Sequence, residues 1–161
     1  MRVPGPSSAG LSAYIITENS LKSTVTWSET QKVDLDGHVV TGPNDPALLN
    51  LAQALKAGGG TDLNAGLVRG YELANKNFDA ERLNRLVLIS DGGANAGITD
   101  QDLIAKESEK NDQEGIYLVG VGTGHDNGAS YYDELMDTVT DKGRGAYVYI
   151  DSSQEADHMF V

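Results

Sequence analysis

The apolar run Leu86-Val87-Leu88-Ile89, closed by Ser90-Asp91-Gly92-Gly93, limits what this chain can become more than any other stretch. A run without polar alternation belongs to a strand buried on both faces, and such strands occur in parallel sheets covered by helices. Residues 116–121 repeat the pattern, and residues 146–150 read as a last short strand. Helical spacing fills the intervals. Leu63, Leu67, Val68 and Tyr71 recur on one face after Thr61-Asp62, Thr99 with Asp102 marks a capping box for a polar helix to about Asn111, and a further helix runs from about Ser130 to Gly143. Strands alternating with helices after Asp45 predict an α/β fold: a three-layer, doubly wound, Rossmann-like and mostly parallel sheet with helices on both faces.

Ahead of this alternation, residues 21–28 alternate and are β-branched, so they read as a strand. Residues 31–35 are its partner across a tight turn, with Asp36-Gly37 as the next turn signal. This hairpin adds one antiparallel edge strand, which such sheets accept. Tyr14-Ile15-Ile16 fits either a short strand or the end of a helix, because periodicity does not decide over so few residues. Asn44-Asp45-Pro46 starts a helix with Asp45 as N-cap, Leu48, Leu51, Ala52 and Leu55 facing inward, and Gly58 as its end. Ser152 with Glu155 caps a last short helix. Residues 1–10 are rich in Pro, Gly and Ser and read as a flexible segment, leaving 11–161 as a single domain.

Charge and composition exclude several functions. Asp and Glu number 24 against 12 Lys and Arg, a net charge of −12 that repels nucleic acid and anionic membranes. Without cysteine there is no disulfide, zinc thiolate or thiol nucleophile. No apolar run reaches the length needed to cross a bilayer, and the first residues lack the apolar core of a signal peptide. Gly58-Gly59-Gly60-Thr61 lacks the Gly-Lys-Ser/Thr of a phosphate-binding loop. The glycines at 120, 122 and 124 miss a dinucleotide fingerprint at His125 and read as a turn over the sheet rim. His38, His125 and His158 are scattered without metal-ligand spacing, and Ser90 lacks a nucleophile elbow. Trp27 reads as core, and Tyr131-Tyr132 as helix packing. The acidic pair Asp34 and Asp36 reads as turn chemistry.

What remains is the rim. In open α/β sheets, ligands sit beyond the carboxyl ends of the strands. Asp91 closes the central apolar strand, and Thr61 lies in the loop before the helix that leads to it, so a hydroxyl and a carboxylate converge there. Oxygen donors of this kind suit magnesium, calcium or manganese. Taken singly, Thr61 also serves as a helix N-cap and Asp91 as the start of an Asx-turn over Gly92-Gly93.

The order Gly59-Gly60-Thr61-Asp62, helix, apolar strand, Ser90-Asp91-Gly92, with the later strands at 115–122 and 145–150, resembles the von Willebrand factor type A (vWA) domain, especially its bacterial members. The resemblance covers roughly residues 21–160. It implies a non-enzymatic protein-binding or adhesion module, cell-surface or extracytoplasmic in a bacterium, with Mg2+ (or Mn2+ or Ca2+) at the rim. In that family an acidic side chain of the partner protein completes the ion's shell. Thr61 would ligate through its hydroxyl and Asp91 directly or through water, with Gly60, Asp62, Gly92 and Gly93 lining the partner-binding rim. The family's Asp-x-Ser-x-Ser loop after the first, central strand is missing, since Pro6-Ser7-Ser8 supplies hydroxyls without a carboxylate. The expected cation site is therefore partial and weak. The usual first strand and its helix are lacking, or residues 11–17 fill the strand's place. A degenerate, metal-independent vWA scaffold is the alternative function, binding through an uncovered sheet edge or the last helix. A small phosphate-handling enzyme rests on fold analogy alone.

Overall fold

A computed structural model describes residues 12–17, 21–42, 44–56, 59–90, 93–112, 115–123, 133–150, 152 and 154–156. The elements in chain order are β1 (Ser12–Thr17), β2 (Leu21–Trp27), β3 (Gln31–Val39), α1 (Pro46–Ala54), α2 (Leu63–Lys76), β4 (Asn84–Ser90), α3 (Gln101–Asp112), β5 (Ile116–Thr123), α4 (Asp133–Lys142) and β6 (Tyr147–Ile150). The strands form one sheet in the order β3-β2-β1-β4-β5-β6.

The apolar runs at residues 86–89 and 116–121 form the parallel part. β4 pairs with β5 in parallel, Leu86 opposite Leu118, and β5 pairs with β6, Val121 opposite Val148. The α/β alternation follows as expected, with α3 and α4 as the crossovers. β1 decides between the two alternatives for the missing strand. It occupies the centre of the sheet, antiparallel to β2 and to β4, with Ala13 opposite both Val25 and Leu88. Its aromatic and β-branched residues suit a strand slotted between two others. Residues 18–20 alone separate β1 from β2, too short a link for a helix, and so short a return makes the pair antiparallel.

The hairpin expectation needs one correction. Asp36-Gly37 does not end a strand, because β3 continues to Val39. Lys22 faces His38 and Thr24 faces Leu35, so Asp36 and Gly37 together oppose Ser23 in a β-bulge. Gly37 takes φ 65°, which the bulge demands and glycine tolerates, and its N–H donates to Ser23 Oγ at 2.8 Å.

Alternation in β4 shows where the core lies. Asn84, Leu86, Leu88 and Ser90 are buried toward the helices, whereas Arg85 on the other face is exposed. Leu63, Leu67 and Tyr71 of α2, Ile104 of α3 and Met136 and Val139 of α4 close over Leu86, Leu88, Ile116 and Leu118. Trp27 joins this core, as expected, and packs so closely on α2 that a Cβ at Gly66 would lie 2.6 Å from its ring.

α1 departs from its expected role. It starts at Pro46 with Asp45 as N-cap, but none of its residues is buried and Leu55 is 41% exposed. Helical spacing reveals an apolar stripe without saying what the stripe meets. Here Leu51 and Leu55 border a cleft of about 330 Å³ whose other wall includes Thr26 and Asp34, on the sheet face opposite α2. Two smaller expectations also change. The cap of α3 is Asp100, whose Oδ1 accepts from Leu103 N at 3.0 Å, rather than Thr99. Gly120 and Gly122 lie inside β5 rather than in a turn, and a Cβ at Gly120 would meet Thr140 Oγ1 at 2.4 Å. Ser152 caps residues 154–156 as expected, its Oγ accepting from Glu155 N at 3.2 Å. Tyr131, Tyr132, Gly58, Gly124, His125 and His158 lie outside the described residues. Among the described residues, no helix is long and apolar enough to cross a membrane.

Candidate functional site

α2 begins at Leu63 because Asp62 caps it: Asp62 Oδ1 accepts from Ala65 N at 3.0 Å and the Asp62 carbonyl from Gly66 N at 3.2 Å. The cap is Asp62 and not Thr61, so Thr61 is not used as an N-cap hydroxyl. The chain leaves α2 at Lys76 and re-enters the sheet at Asn84, which sets the start of α2 at the same end as Ser90, the last residue of β4. Gly60, Thr61 and Asp62 thus stand on the sheet rim, where the sequence put them.

Both neighbouring segments hold this loop. From the hairpin side, the Asp62 N–H donates to the Ser28 carbonyl at 2.8 Å. From the segment that follows β4, Asn95 and Ala96 donate their N–H groups to the Thr61 carbonyl at 3.1 and 3.2 Å. The Thr61 N–H in turn donates to Asn95 Oδ1 at 2.7 Å. Thr61 is 5% exposed under these contacts. Gly60 sits in a tight cradle, where a Cβ would be 3.3 Å from Ala96 Cβ, Asn95 Oδ1 and Glu29 Cγ. Gly97, at φ 63°, lies over the Asp62 carboxylate, and a Cβ there would fall 2.2 Å from Oδ2. Asp62 is thus a half-buried helix cap with Gly97 against its carboxylate. Gly93 is half-buried in the same segment, and Asp91 and Gly92 lie outside the described residues.

Asn95 was not singled out from the sequence. Its partner lies 34 residues away, and an asparagine in a loop between Ala94 and Ala96 carries no motif. The exposed side chain marks nothing until the loop is folded onto Thr61.

Among the described residues the rim offers the Thr61 hydroxyl, which fits a hard cation in kind. Among the described residues no group of three His, Cys, Asp or Glu side chains converges. Thr17 pairs with Asn84, so β1 ends at the end of the sheet opposite Ser90.

Among the described residues, the carboxylate with the most hydrogen bonds also lies at that far end. Asp45 is 2% exposed and accepts from Thr41 N at 2.8 Å, Thr41 Oγ1 at 2.9 Å, Ala47 N at 2.9 Å and Leu48 N at 3.3 Å, with His38 Nε2 at 3.0 Å. The Thr41 backbone N–H, then His38, hold its carboxyl well below the usual aspartate range against the opposing effect of burial. Asp36, held low by Lys76 and then Asn77, ties β3 to the end of α2. Both groups are structural, Asp45 as a helix cap and Asp36 in the bulge of β3, and neither reaches the rim.

No family model matches the chain. Over 132 residues it is 32% identical to the uncharacterized protein YfbK of Escherichia coli (strain K12), covering 82% of this chain and 22% of that protein. Over 113 residues it is 27% identical to inter-alpha-trypsin inhibitor heavy chain H1 of Bos taurus, covering 67% of this chain and 12% of that protein. The chain thus spans less than a quarter of either relative. Among solved structures, BatB from Bacteroides thetaiotaomicron matches with a TM-score of 0.61 at 11% identity, over 84% of this chain and 73% of that one. Proximal thread matrix protein 1 of the mussel byssus, with a zinc-occupied MIDAS motif, matches at 0.62 and 20% identity, over 84% and 33%. The VWA domain of SpRpn10 matches at 0.56 and 13% identity, over 81% and 65%.

Proposed function

Starting from a chain that has the fold of a von Willebrand factor type A domain, we propose that it is a non-enzymatic protein-binding module that meets its partner at the sheet rim around Thr61. The observation that carries this reading is the binding of the Gly60–Asp62 loop to the segment following β4, which brings the Thr61 backbone beside the chain that has just passed Ser90 and Asp91. The Thr61 hydroxyl and the Asp91 carboxylate would hold a divalent cation weakly, with water and an acidic side chain of the partner filling the remaining positions. A bound cation supplies positive charge between the Asp91 carboxylate and that of the partner. Zinc occupies the corresponding motif in the mussel protein, which supports a divalent ion here. Gly60, Gly92 and Gly93 would keep the rim free of side chains, and Asp62 would fix the loop from beneath.

The test is a calorimetric titration of the purified chain with Mg2+ and Mn2+, beside Asp91→Ala. Binding that disappears in the variant supports the reading. Equal heats in both proteins, or none up to millimolar metal, reject it.

A second reading rests on its own observation. The cleft of about 330 Å³ between α1 and the β2–β3 hairpin adjoins the rim at Ser28 and offers Leu51 and Leu55 beside Lys32 and Lys56. A partner docking there needs no cation, and its binding is expected to be indifferent to EDTA.

A further inference from the structure

The geometry points to Asn95 as the positioning residue of the rim: its side chain and backbone together clamp Thr61 in the orientation that the site requires. This inference deepens the cation-rim reading and rests on it for its consequence, though not for its structural content.

Thr61 precedes the cap of α2, so neither its N–H nor its carbonyl enters the helix. Both would be left unpaired in a residue that is 5% exposed if the following segment did not meet them. Asn95 meets both. Its Oδ1 accepts from Thr61 N at 2.7 Å, and its own N–H donates to the Thr61 carbonyl at 3.1 Å. A reciprocal pair between two residues sets rotation as well as distance, which a single hydrogen bond does not. Ala96 N reinforces the same carbonyl at 3.2 Å. Gly97 then closes the clamp on the next residue, its positive φ turning the chain over the Asp62 carboxylate. The segment emerging from β4 is thus fastened to the head of α2 at successive residues. The Thr61 backbone, from which the hydroxyl-bearing side chain projects, is held by Asn95 through both its N–H and its carbonyl.

The side chain at 95 needs an acceptor oxygen at the length of a carboxamide. Aspartate keeps that oxygen, and alanine removes it while leaving the backbone pair. The two substitutions therefore separate the acceptor from general loop integrity, and the exposure of Asn95 makes both compatible with folding. Gly97→Ala attacks the clamp from the other side, since the added Cβ would displace the loop from Asp62.

The experiment compares the wild-type chain with Asn95→Ala, Asn95→Asp and Gly97→Ala by residue-resolved amide exchange. Mn2+ binding is followed in parallel by electron paramagnetic resonance. Exchange at Thr61 N–H should accelerate at least about tenfold in Asn95→Ala and Gly97→Ala and stay slow in Asn95→Asp, while core amides of β4 are unchanged. Mn2+ affinity should fall about 10- to 100-fold in Asn95→Ala, as for other residues that orient a ligand, and be retained in Asn95→Asp. Unaltered Thr61 exchange in Asn95→Ala overturns the inference, as does equal acceleration in Asn95→Asp. If the wild-type chain binds no Mn2+ while the exchange pattern is as expected, the cation reading falls and the clamp stands.

Discussion

The two halves of the sheet are held by different physics. In the parallel half, β4, β5 and β6 carry apolar runs, and their register is secured by the side chains of Leu86, Leu88, Ile116 and Leu118 under α2, α3 and α4. In the antiparallel half, β2 and β3 also bury Val25 and Trp27, but polar pairs secure much of the register. Thr26 Oγ1 donates to Asp34 Oδ2 at 2.6 Å, Ser23 Oγ accepts from Gly37 N, and Asp36 pairs with Lys76 of α2. Hydrophobic packing is non-directional and nearly insensitive to pH, whereas the Asp36–Lys76 pair depends on ionisation. The halves should therefore fail under different insults.

The largest effect should come from a cavity in the parallel half. Leu118→Ala removes a fully buried side chain and is expected to cost about 2–5 kcal/mol in urea unfolding. A cost below about 1 kcal/mol would mean that packing does not hold this half. Next comes the place where the antiparallel half does depend on packing. Gly66→Ala drives a Cβ into the Trp27 ring and should cost about 1–3 kcal/mol, with a shift in tryptophan emission.

Acid should then single out the antiparallel half. Asp45 and Asp36 have folded-state values below the ordinary 3.8, so the unfolded chain takes up protons more readily. Their contribution is complete above that value and is lost as pH falls through the depressed folded values. Amide exchange followed downward from pH 5 should loosen β3 and the start of α1 before β4 and β5, and Asp45→Asn should remove much of this pH dependence. Loosening that begins in β5 would break the comparison.

Base should do the converse. Burial, with Tyr149 adding to it, pushes the Tyr147 phenol of β6 up to about 12. The fold favours its neutral form, so this contribution is present below pH 10 and lost as pH rises through about 12. Tyr147→Phe should raise the alkaline unfolding midpoint. The smallest effect is expected at the exposed Arg69–Glu72 pair on α2, where Arg69→Ala should change stability by less than about 0.5 kcal/mol.

Much of this molecule was legible without coordinates, and the misses share a cause. β2, β4 and β5, α2 and the caps at Asp45 and Ser152 follow from periodicity and from neighbours within a turn of chain. The bulge at Asp36-Gly37 looks like a turn in the sequence because both features ask for the same residues, and only the strand opposite tells them apart. The stripe on α1 looks like core because spacing shows that a face is apolar and not what covers it. In the candidate site, Thr61 and its rim position were legible, but the exchange of N-cap duty to Asp62 and the pairing with Asn95 were not.

The sequence by itself determined the α/β alternation, the helix starts at Asp45 and Ser152 and the loop that brings Thr61 to the end of the sheet. Those features depend on side-chain period and on hydrogen bonds between residues a few positions apart. Tertiary structure alone decided that β1 enters the centre of the sheet antiparallel to β4, and that Asn95 closes on Thr61. A strand's own residues fix its two faces, whereas its neighbours and direction depend on backbone groups far away in the chain. The identity of a loop asparagine likewise acquires meaning only when folding supplies the N–H that its oxygen accepts.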